Sequence, residues 1–471
     1  MLVVVVGLAT MSAPRMDVDL AVIGAGTGGL AAARAGVRRR LRALIVTDGP
    51  IGGECTFTGC VPSKSLIEAA ARGASFADAM AWVHRNVDVI AARDTAEGLR
   101  GEGIEVLEGR ARFVGPRTLE VHGRAVRARR VVIATGSRPA RPAIEGLDHG
   151  AYLTNESVFD ISVAPRSLVV LGGGATGCEL GQAFARLGLS VTIVEARERL
   201  VAREEPESSA VLADGFGAEG IVVRTGRQVT RVEYQPGGST RVWLDDGGTV
   251  VADQLLVAVG RRAVTEGLEL DRAGVDLDDR GFIRTDEHLA TSAPGVYAVG
   301  DVAGTVQFTH AADEMGRLAV ANAFRRTGFP KHAFRPLSIP SVLYTSPEIA
   351  RVGMTEAAAA AVGGRVAYLP MREVDRAIVA GRTEGFVKLI AGPRRVLRNL
   401  GGGRLLGATI VADRGGELVH EAVLALRTHM FTGRLASSAH AYPTWSLAIQ
   451  QAAAQFFMEI EGRHARPAGS P

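Results

Sequence analysis

The chain has 471 residues, of which 47% are hydrophobic and 22% charged. This composition predicts a globular protein with room for about three domains. The net charge of +4 is small and the basic residues are scattered, so no nucleic-acid partner is expected. Three cysteines are too few for a disulfide framework, which favours a cytoplasmic location. No apolar run approaches the roughly 20 residues that span a bilayer, so no membrane partner is expected either.

The N-terminus begins with an apolar run that lacks the basic flank of a signal peptide. We interpret residues 1–15 as an N-terminal extension. Met11 and Met16 are alternative start sites.

Two segments of the chain resemble each other: DLAVIGAGTGG at 19–29 and SLVVLGGGATG at 167–177. Each reads as a short apolar strand, a Gly-rich turn and an Ala-rich helix, and a second apolar strand follows at 43–46 and at 191–194. This is the arrangement of a dinucleotide-binding unit. One such fingerprint often arises by chance, but two copies about 150 residues apart are a strong signal.

The glycines of the first turn have separate roles in a dinucleotide site. Gly24 makes the tight turn, Gly26 lets the backbone approach a pyrophosphate, and Gly29 lets helix and strand pack closely. A carboxylate for the ribose is expected at the end of the second strand. Thr47 occupies that position, so we expect Asp48 to substitute for it.

The second turn repeats the pattern with Gly172, Gly174 and Gly177, and its second strand ends at Glu195. Glu195 can accept the ribose hydroxyls and would repel a 2′-phosphate, which favours NADH over NADPH. Arg197 and Arg199 follow closely and offer cations for that phosphate, so NADPH stays open.

The segment GGECTFTGCVPSK at 52–64 contains two of the three cysteines, Cys55 and Cys60, just before a predicted helix at 65–71. In one continuous helix these cysteines would rise about 7.5 Å, beyond what a disulfide tolerates. The backbone must therefore bend, and Gly59 and Pro62 allow it. Because a helix N-terminus stabilises a thiolate, a redox pair is favoured over two buried apolar cysteines. Cys178 is interpreted as a small core residue.

Further strands are predicted at 130–139, 254–261 and 295–301, and from about residue 346 strand-like stretches at 385–390 and 405–411 alternate with helices such as 417–428. The fold predicted is α/β: two Rossmann-like dinucleotide-binding domains and a C-terminal α+β domain. The predicted limits are 16–160 and 286–345 for the first domain, 161–285 for the second, 346–459 for the third and 460–471 for a tail.

With these motifs in this order, the chain resembles the FAD-dependent pyridine nucleotide–disulfide oxidoreductases. The match to GGxCxxxGCxPSK is highly specific, and the resemblance runs from about Asp17 to Phe457. It implies FAD, NAD(P)H and a homodimer in which the C-terminal domain completes the partner's active site. The cofactor-binding residues it implies are Gly24, Gly26, Gly29, Asp48, Gly53, Lys64, Thr135, Gly136, Ser137, Gly172, Gly174, Gly177, Glu195, Gly260, Gly300 and Asp301.

The resemblance also implies a mechanism. NAD(P)H reduces the flavin, and the flavin opens a Cys55–Cys60 disulfide. Cys60 becomes the thiolate near the flavin, and Cys55 attacks the substrate. Lys64, one of only three lysines, pairs with Glu179 beside the flavin, where a cation stabilises its reduced, anionic form.

The sequence departs from the family at its C-terminal motif HxHPTxxE. The segment here is HAYPTWSL, so His440 remains, Tyr442 replaces the acid–base histidine and Leu447 replaces its carboxylate. A tyrosine with a pKa of about 10 is a poor base at neutral pH. Mercuric reductases are similar at this tyrosine, but the C-terminal cysteine pair of that branch is missing here.

We therefore expect a mercuric reductase-like flavoprotein whose electron acceptor is a metal ion such as Hg(II), a disulfide or another small thiol-reactive species. No resident metal is expected. One alternative is a dihydrolipoamide dehydrogenase-type enzyme that uses His440 or Tyr442 as a relay. The other two are a quinone or dye reductase in which the cysteines contribute little, and a non-catalytic redox sensor or binding protein that uses the cysteines as a switch.

Overall fold

The computed structural model describes residues 15–394, 396 and 398–470. Apart from Arg15, the predicted N-terminal extension lies outside these residues. The strands are β1 Arg15–Ile23, β2 Ala43–Thr47, β3 Ile104–Glu108, β4 Arg112–Gly115, β5 Thr118–Val121, β6 Arg124–Ile133, β7 Ser137–Pro139, β8 Ser167–Leu171, β9 Ser190–Glu195, β10 Val222–Thr225, β11 Val229–Tyr234, β12 Thr240–Leu244, β13 Thr249–Ala252, β14 Gln254–Val257, β15 Arg261–Ala263, β16 Val296–Ala298, β17 Ser341–Leu343, β18 Glu348–Gly353, β19 Arg365–Pro370, β20 Phe386–Gly392, β21 Arg404–Ala412 and β22 Arg466–Pro467.

The α-helices are α1 Thr27–Val37, α2 Gly53–Phe57, α3 Cys60–Ala71, α4 Phe76–Ala91, α5 Ala96–Gly101, α6 Ala175–Arg186, α7 Pro206–Ala218, α8 Thr309–Ala323, α9 Glu356–Ala360, α10 Asp375–Ala380, α11 Gly415–Arg427, α12 Thr432–Ser437 and α13 Leu447–Ala454. In the described part of the chain, none of the helices combines the length and apolarity that crossing a membrane requires.

The chain divides into two compact units. Among the described residues, the first contains 15–57, 89–138 and 261–334, and the second contains 58–88, 139–260 and those from 335 to 470.

The first unit is built on a parallel sheet. Strands β3, β2, β1 and β6 lie side by side in that order, and β16 pairs in parallel with the carboxyl end of β6. The amino-terminal half of β6 pairs with β5 in an antiparallel extension that ends at β4. Strand β2 is buried along its whole length, as expected of a strand covered on both faces. Helix α8 packs on α1. Because strands β3, β2, β1, β6 and β16 are parallel, their carboxyl ends lie at one edge of the sheet, as in a nucleotide-binding fold.

The second unit contains a parallel sheet in the order β10–β9–β8–β14, beside an antiparallel three-stranded sheet of β11, β12 and β13. Its C-terminal part is a six-stranded sheet in the order β17–β18–β21–β20–β19–β22, antiparallel throughout. Helices α11 and α13 cover this sheet over a core that includes Leu389, Ile410 and Ile449. Both strand–turn–helix repeats and the final α+β region are thus present, and the predicted fold class is confirmed.

Most predicted strands agree with the observed ones to within a few residues, but the segment predicted as one strand at 130–139 contains the end of β6 and the separate strand β7. The helix after the cysteine pair begins earlier than predicted. It begins at Cys60 rather than Ser65, because Pro62 fits the first turn of a helix, where its missing N–H costs no hydrogen bond. Cys55 lies in the separate short helix α2. The prediction that the two cysteines do not share one continuous helix is confirmed.

Candidate active site

The two Gly-rich turns have the same geometry, each in its own unit. Gly24 and Gly172 have φ angles of 104° and 106°, and side chains there would collide with the backbone oxygens of Ala134 and Ala258. The last glycine of each turn is packed just as closely, because a Cβ on Gly29 or Gly177 would lie about 2 Å from a carbonyl oxygen of its own turn.

The middle glycines differ, because a Cβ on Gly26 or Gly174 would meet no atom within 4 Å. Each is the N-cap of its helix, α1 or α6, with no side-chain cap and no acidic residue in the first turn. Each turn therefore offers open space in front of unsatisfied backbone N–H groups. This is the environment that a pyrophosphate requires, so the residues present fit FAD and a nicotinamide dinucleotide.

A cavity of about 610 Å³ lies at the carboxyl ends of β2 and β3 in the first unit. Asp48, Glu108, Arg110 and His122 are among the residues that line it. The hydroxyl of Thr47 donates to the Gly49 carbonyl at 2.9 Å and is thus engaged within its own turn. Asp48 is exposed at the cavity, and so is Glu108. Both offer a carboxylate there, and the ribose-binding role of Asp48 stays a prediction.

Alanine substitution at the middle glycines should separate the two dinucleotide sites. Because a methyl group at Gly26 meets open space and its φ of −74° suits alanine, Gly26→Ala should leave the fold intact. It should nevertheless lower bound FAD at least about tenfold by blocking the backbone's approach to the phosphates. Gly174→Ala is the matched control and should weaken NADH binding with FAD content unchanged. Flavin absorbance per chain measures the FAD content, and titration with NADH measures NADH binding. Equal FAD content in wild type and Gly26→Ala would contradict this assignment.

Glu195 ends β9 and is held by two backbone groups. Its carboxylate accepts the N–H of Gly173 at 2.6 Å and that of Arg197 at 2.8 Å. The guanidinium of Arg199 donates to the carbonyls of Ala202 and Glu204 and to the hydroxyl of Ser209, each at 2.8 Å. Arg199 is therefore engaged within the protein rather than directed at a ribose phosphate.

Helix α2 carries Cys55 next to the first Gly-rich turn. The N–H of Gly52 donates to the Ala25 carbonyl at 2.9 Å, and a Cβ on Gly53 would lie 2.9 Å from the Cα of Gly26. The Thr309 hydroxyl, at the start of α8, donates to the Cys55 sulfur at 3.3 Å. Cys55 is half-buried. The first unit thus places one predicted redox sulfur beside the predicted FAD turn.

Cys60 is exposed and is the first residue of α3 in the second unit. One turn later, the Lys64 ammonium donates to Glu179 of α6 at 2.8 Å and lies 4.6 Å from the centre of the Tyr344 ring. Glu179 also accepts the Tyr344 N–H at 2.9 Å. Burial works to lower the pKa of Lys64, but the attraction of Glu179 and their hydrogen bond outweigh it, and that pKa is raised. Lys64 therefore stays protonated at neutral pH, and the predicted pairing with Glu179 is present.

The structure adds two residues that the sequence reasoning missed, Glu54 and Arg261, which form an ion pair in the first unit. The Arg261 guanidinium also donates to the Ser137 hydroxyl at 2.7 Å and to its carbonyl at 3.0 Å. The Ser137 hydroxyl donates to Asp301 at 2.5 Å. The adjoining turn is held by the Thr135 hydroxyl, which donates to the Val264 carbonyl at 2.6 Å.

Two glycines of the predicted cofactor set lie outside the Gly-rich turns. Gly260 and Gly300 have φ angles of 144° and 73°, conformations that favour glycine. Gly300 opens the short helical turn Gly300–Ala303, which contains Asp301.

In the C-terminal domain, His440 and Tyr442 have different environments. His440 is 8% exposed, with one ring nitrogen 3.2 Å from Glu421 and the other 2.9 Å from the Ser438 carbonyl. Tyr442 is 71% exposed and donates its hydroxyl proton to Asp375 at 2.9 Å. That hydrogen bond raises the pKa of Tyr442 further. Leu447 begins α13 and supplies no carboxylate.

Cys178 is fully buried, as predicted, and burial raises the pKa of its thiol. Among the described residues, no group of three or more His, Cys, Asp or Glu side chains is arranged to hold a metal ion. The nucleotide-binding features are therefore those expected of a dinucleotide-dependent oxidoreductase. Cys55 and Cys60 are both free thiols in this structure, so the disulfide between them stays a prediction.

Comparison with known proteins gives the same class. The family model described as pyridine nucleotide-disulphide oxidoreductase matches residues 18–316, and the dimerisation-domain model of that family matches residues 339–453. The chain belongs to the pyridine nucleotide-disulphide oxidoreductase family. It is an FAD-containing oxidoreductase that uses NAD(P)H, as predicted.

Individual relatives carry two different names. The chain is 38% identical to a dihydrolipoyl dehydrogenase of Thermus scotoductus, over 92% of this chain and 96% of that one. It is 37% identical to a mercuric reductase of Streptomyces lividans, over 94% and 97%. A solved structure, the Cu(II) complex of the HOCl-induced flavoprotein disulfide reductase RclA from Escherichia coli, matches with a TM-score of 0.85 at 25% identity, over 93% and 99%.

Proposed function

We propose that the chain is a mercuric reductase-like enzyme that passes electrons from NAD(P)H to a Cys55–Cys60 disulfide and on to a small thiol-reactive acceptor. When bound, FAD supplies the two-electron carrier between the nicotinamide and the disulfide. Reduction of the disulfide consumes one NAD(P)H and one proton and yields NAD(P)+ and two thiols. Cys60, at the N-terminus of α3, has the helix dipole to stabilise its thiolate. Cys55 is then the thiol that attacks the acceptor.

Lys64 and Glu179 act in this proposal by placing a permanent cation near the cysteine-bearing end of α3. The ammonium stays charged because Glu179 offsets its burial. A fixed positive charge stabilises negative charge that develops beside it during electron transfer. The Tyr344 ring covers the ammonium and limits its solvation, which strengthens that effect.

The environment of Tyr442 favours a metal ion over a disulfide as the electron acceptor. A dithiol–disulfide exchange needs a group that moves the thiol proton, and a tyrosine whose pKa is raised above 10 is a poor base. A soft metal ion needs no such relay, because thiolates bind it directly. Two thiolates and one Hg(II) then give Hg(0) and the disulfide, which balances charge and electrons.

The described C-terminal tail makes several contacts with the rest of its domain. Strand β22 pairs with β19, the Ala468 N–H donates to the Gly364 carbonyl at 2.9 Å, and Arg466 pairs with Glu356. The described tail is thus held on its own domain, and it contains no cysteine.

A screen of acceptors tests this proposal. NADH oxidation should be measured with Hg(II), Cu(II), lipoamide and glutathione disulfide at neutral pH. Because general base catalysis contributes about a hundredfold or more, the two disulfides should turn over at least about a hundredfold more slowly than a metal ion. Comparable lipoamide turnover would instead support the second candidate, a dihydrolipoyl dehydrogenase-type enzyme, which the 38% identity to that relative favours.

We propose NADH as the preferred nucleotide, because Glu195 is held at the end of β9 and Arg199 is engaged elsewhere. Glu195→Ala removes a charged acceptor of ribose hydroxyls and should lower kcat/KM for NADH about tenfold or more, with that for NADPH unchanged or raised. Steady-state kinetics with both nucleotides measures this. A parallel fall with NADH and NADPH would contradict it.

We also propose a cytoplasmic homodimer. The matched dimerisation domain supports it, as do three apolar side chains on α10 and α11, Ile378, Val379 and Leu424, each more than half exposed. Mass measurement in solution tests the oligomeric state.

A further inference from the structure

Cys55 lies in a helix that is too short to be stable by itself. Helix α2 is five residues long, far below the length at which an isolated helix is stable. It follows Gly52 and Gly53, whose φ angles of 105° and 63° belong to the left-handed region that glycine adopts freely. The place of the Cys55 sulfur therefore depends on contacts made outside the helix.

The ion pair between Glu54 and Arg261 is such a contact. Glu54 directly precedes Cys55, so a restraint on its carboxylate restrains the cysteine backbone as well. The pair is 23% exposed at the arginine and 28% at the glutamate, so water screens it only in part. A charge-assisted bond of this kind is roughly twice as strong as a neutral one, such as that from Thr309 to the Cys55 sulfur.

Arg261 is also held by contacts with residues other than Glu54. Its guanidinium donates to both the hydroxyl and the carbonyl of Ser137 and lies 3.4 Å from Asp301. The Ser137 hydroxyl in turn donates to Asp301. A guanidinium held in this way loses little conformational freedom when it pairs with a carboxylate. Glu54 is thus tied to a rigid part of the first unit.

We propose that Glu54 and Arg261 are positioning residues that hold Cys55 in place for closing the disulfide with Cys60. This inference rests on the proposed function. Holding one sulfur in place raises the effective molarity of the thiol pair. Closure by oxidised glutathione converts two protein thiols into the disulfide, and one glutathione disulfide into two glutathione thiols.

The test uses the full-length flavoprotein equilibrated in buffers of reduced and oxidised glutathione, with thiols trapped by iodoacetamide and counted at each cysteine by mass spectrometry. Glu54→Leu and Arg261→Met should each lower the equilibrium constant for disulfide formation about tenfold. Glu54→Gln should lower this equilibrium constant less, because its amide oxygen can still accept a hydrogen bond from Arg261. The double variant Glu54→Leu/Arg261→Met should lower the constant no further than either single variant, because the two substitutions remove the same contact.

Glu120→Leu is the matched control, since it breaks the Arg112–Glu120 ion pair in the same unit and should leave the constant unchanged. A merely structural role would lower FAD content or the unfolding midpoint without changing the constant in the folded fraction. Glu54→Leu and Arg261→Met values within twofold of wild type, or additive losses in the double variant, would overturn the positioning role. A wild-type chain that forms no Cys55–Cys60 disulfide would contradict the proposed function instead.

Discussion

Cys55→Ser should lower NADH-dependent reduction of metal-ion or disulfide acceptors by about a thousandfold, because it removes the nucleophile on which the acceptor reaction depends. Its hydroxyl cannot form the disulfide, so electrons from NADH should stop before the acceptor. FAD content should remain normal, since the contacts of the Gly-rich turn involve backbone atoms of the preceding residues Gly52 and Gly53. Turnover with each acceptor, normalised to flavin, measures the effect.

Cys178→Ala is the matched control, because Cys178 is the third cysteine and is fully buried in α6. Its turnover should stay within about twofold of wild type, provided the fold is retained. Unchanged quinone or dye reduction together with unchanged metal-ion reduction in Cys55→Ser would contradict a role for the pair and would support direct reduction by the flavin.

Lys388→Met should lower the free energy of unfolding by about 3–5 kcal/mol, as expected when a buried ion pair loses one partner. Lys388 lies in β20, is 1% exposed, and contacts Glu207, Glu356 and Glu205 at 2.6, 2.9 and 3.4 Å. Removing its charge leaves Glu205, which is 3% exposed, beside two other carboxylates without the shared cation. Urea unfolding followed by circular dichroism measures the loss.

Lys331→Met provides the matched control, since Lys331 is exposed and its replacement should change stability by less than about 0.5 kcal/mol. A loss below about 1 kcal/mol in Lys388→Met would show that burying the four charges costs nearly as much as their attraction contributes.

The same cluster makes stability depend on pH. Burial would raise the pKa of Glu356, but hydrogen bonds from Arg466 and Lys388 outweigh it and lower that pKa from 4.5 to about 2. A carboxyl whose pKa is depressed by folding contributes its stabilisation above its unfolded pKa and loses it as the pH falls through the folded value. Wild type should therefore lose this contribution between pH 4.5 and about 2. Lys388→Met should show a smaller loss of unfolding free energy over that pH range.

Local signals made much of the fold predictable. The strand, turn and helix of each Gly-rich unit are neighbours in sequence, so short apolar runs and glycine spacing were enough to predict β1, α1, β8 and α6. The resemblance of GGECTFTGCVPSK to its family likewise predicted the Lys64–Glu179 pair, although 115 residues separate the two partners.

Contacts without a local pattern could not be predicted. Glu54 and Arg261 are 207 residues apart, and each taken alone resembles an ordinary surface charge. Lys388 occupies a strand whose other residues are apolar or glycine, and its carboxylate partners come from two distant segments. The glycines and Pro62 favour a loop, so the sequence predicts too late a start for α3, whereas the proline belongs to the first helical turn.

The most direct test of the central claim is an anaerobic titration with NADH, followed by alkylation and mass spectrometry of each cysteine. If NADH electrons reach the pair, one equivalent of NADH per flavin should make both Cys55 and Cys60 newly reactive, and Cys178 should remain unmodified. Consumption of NADH with no new reactive thiol at either cysteine would contradict it.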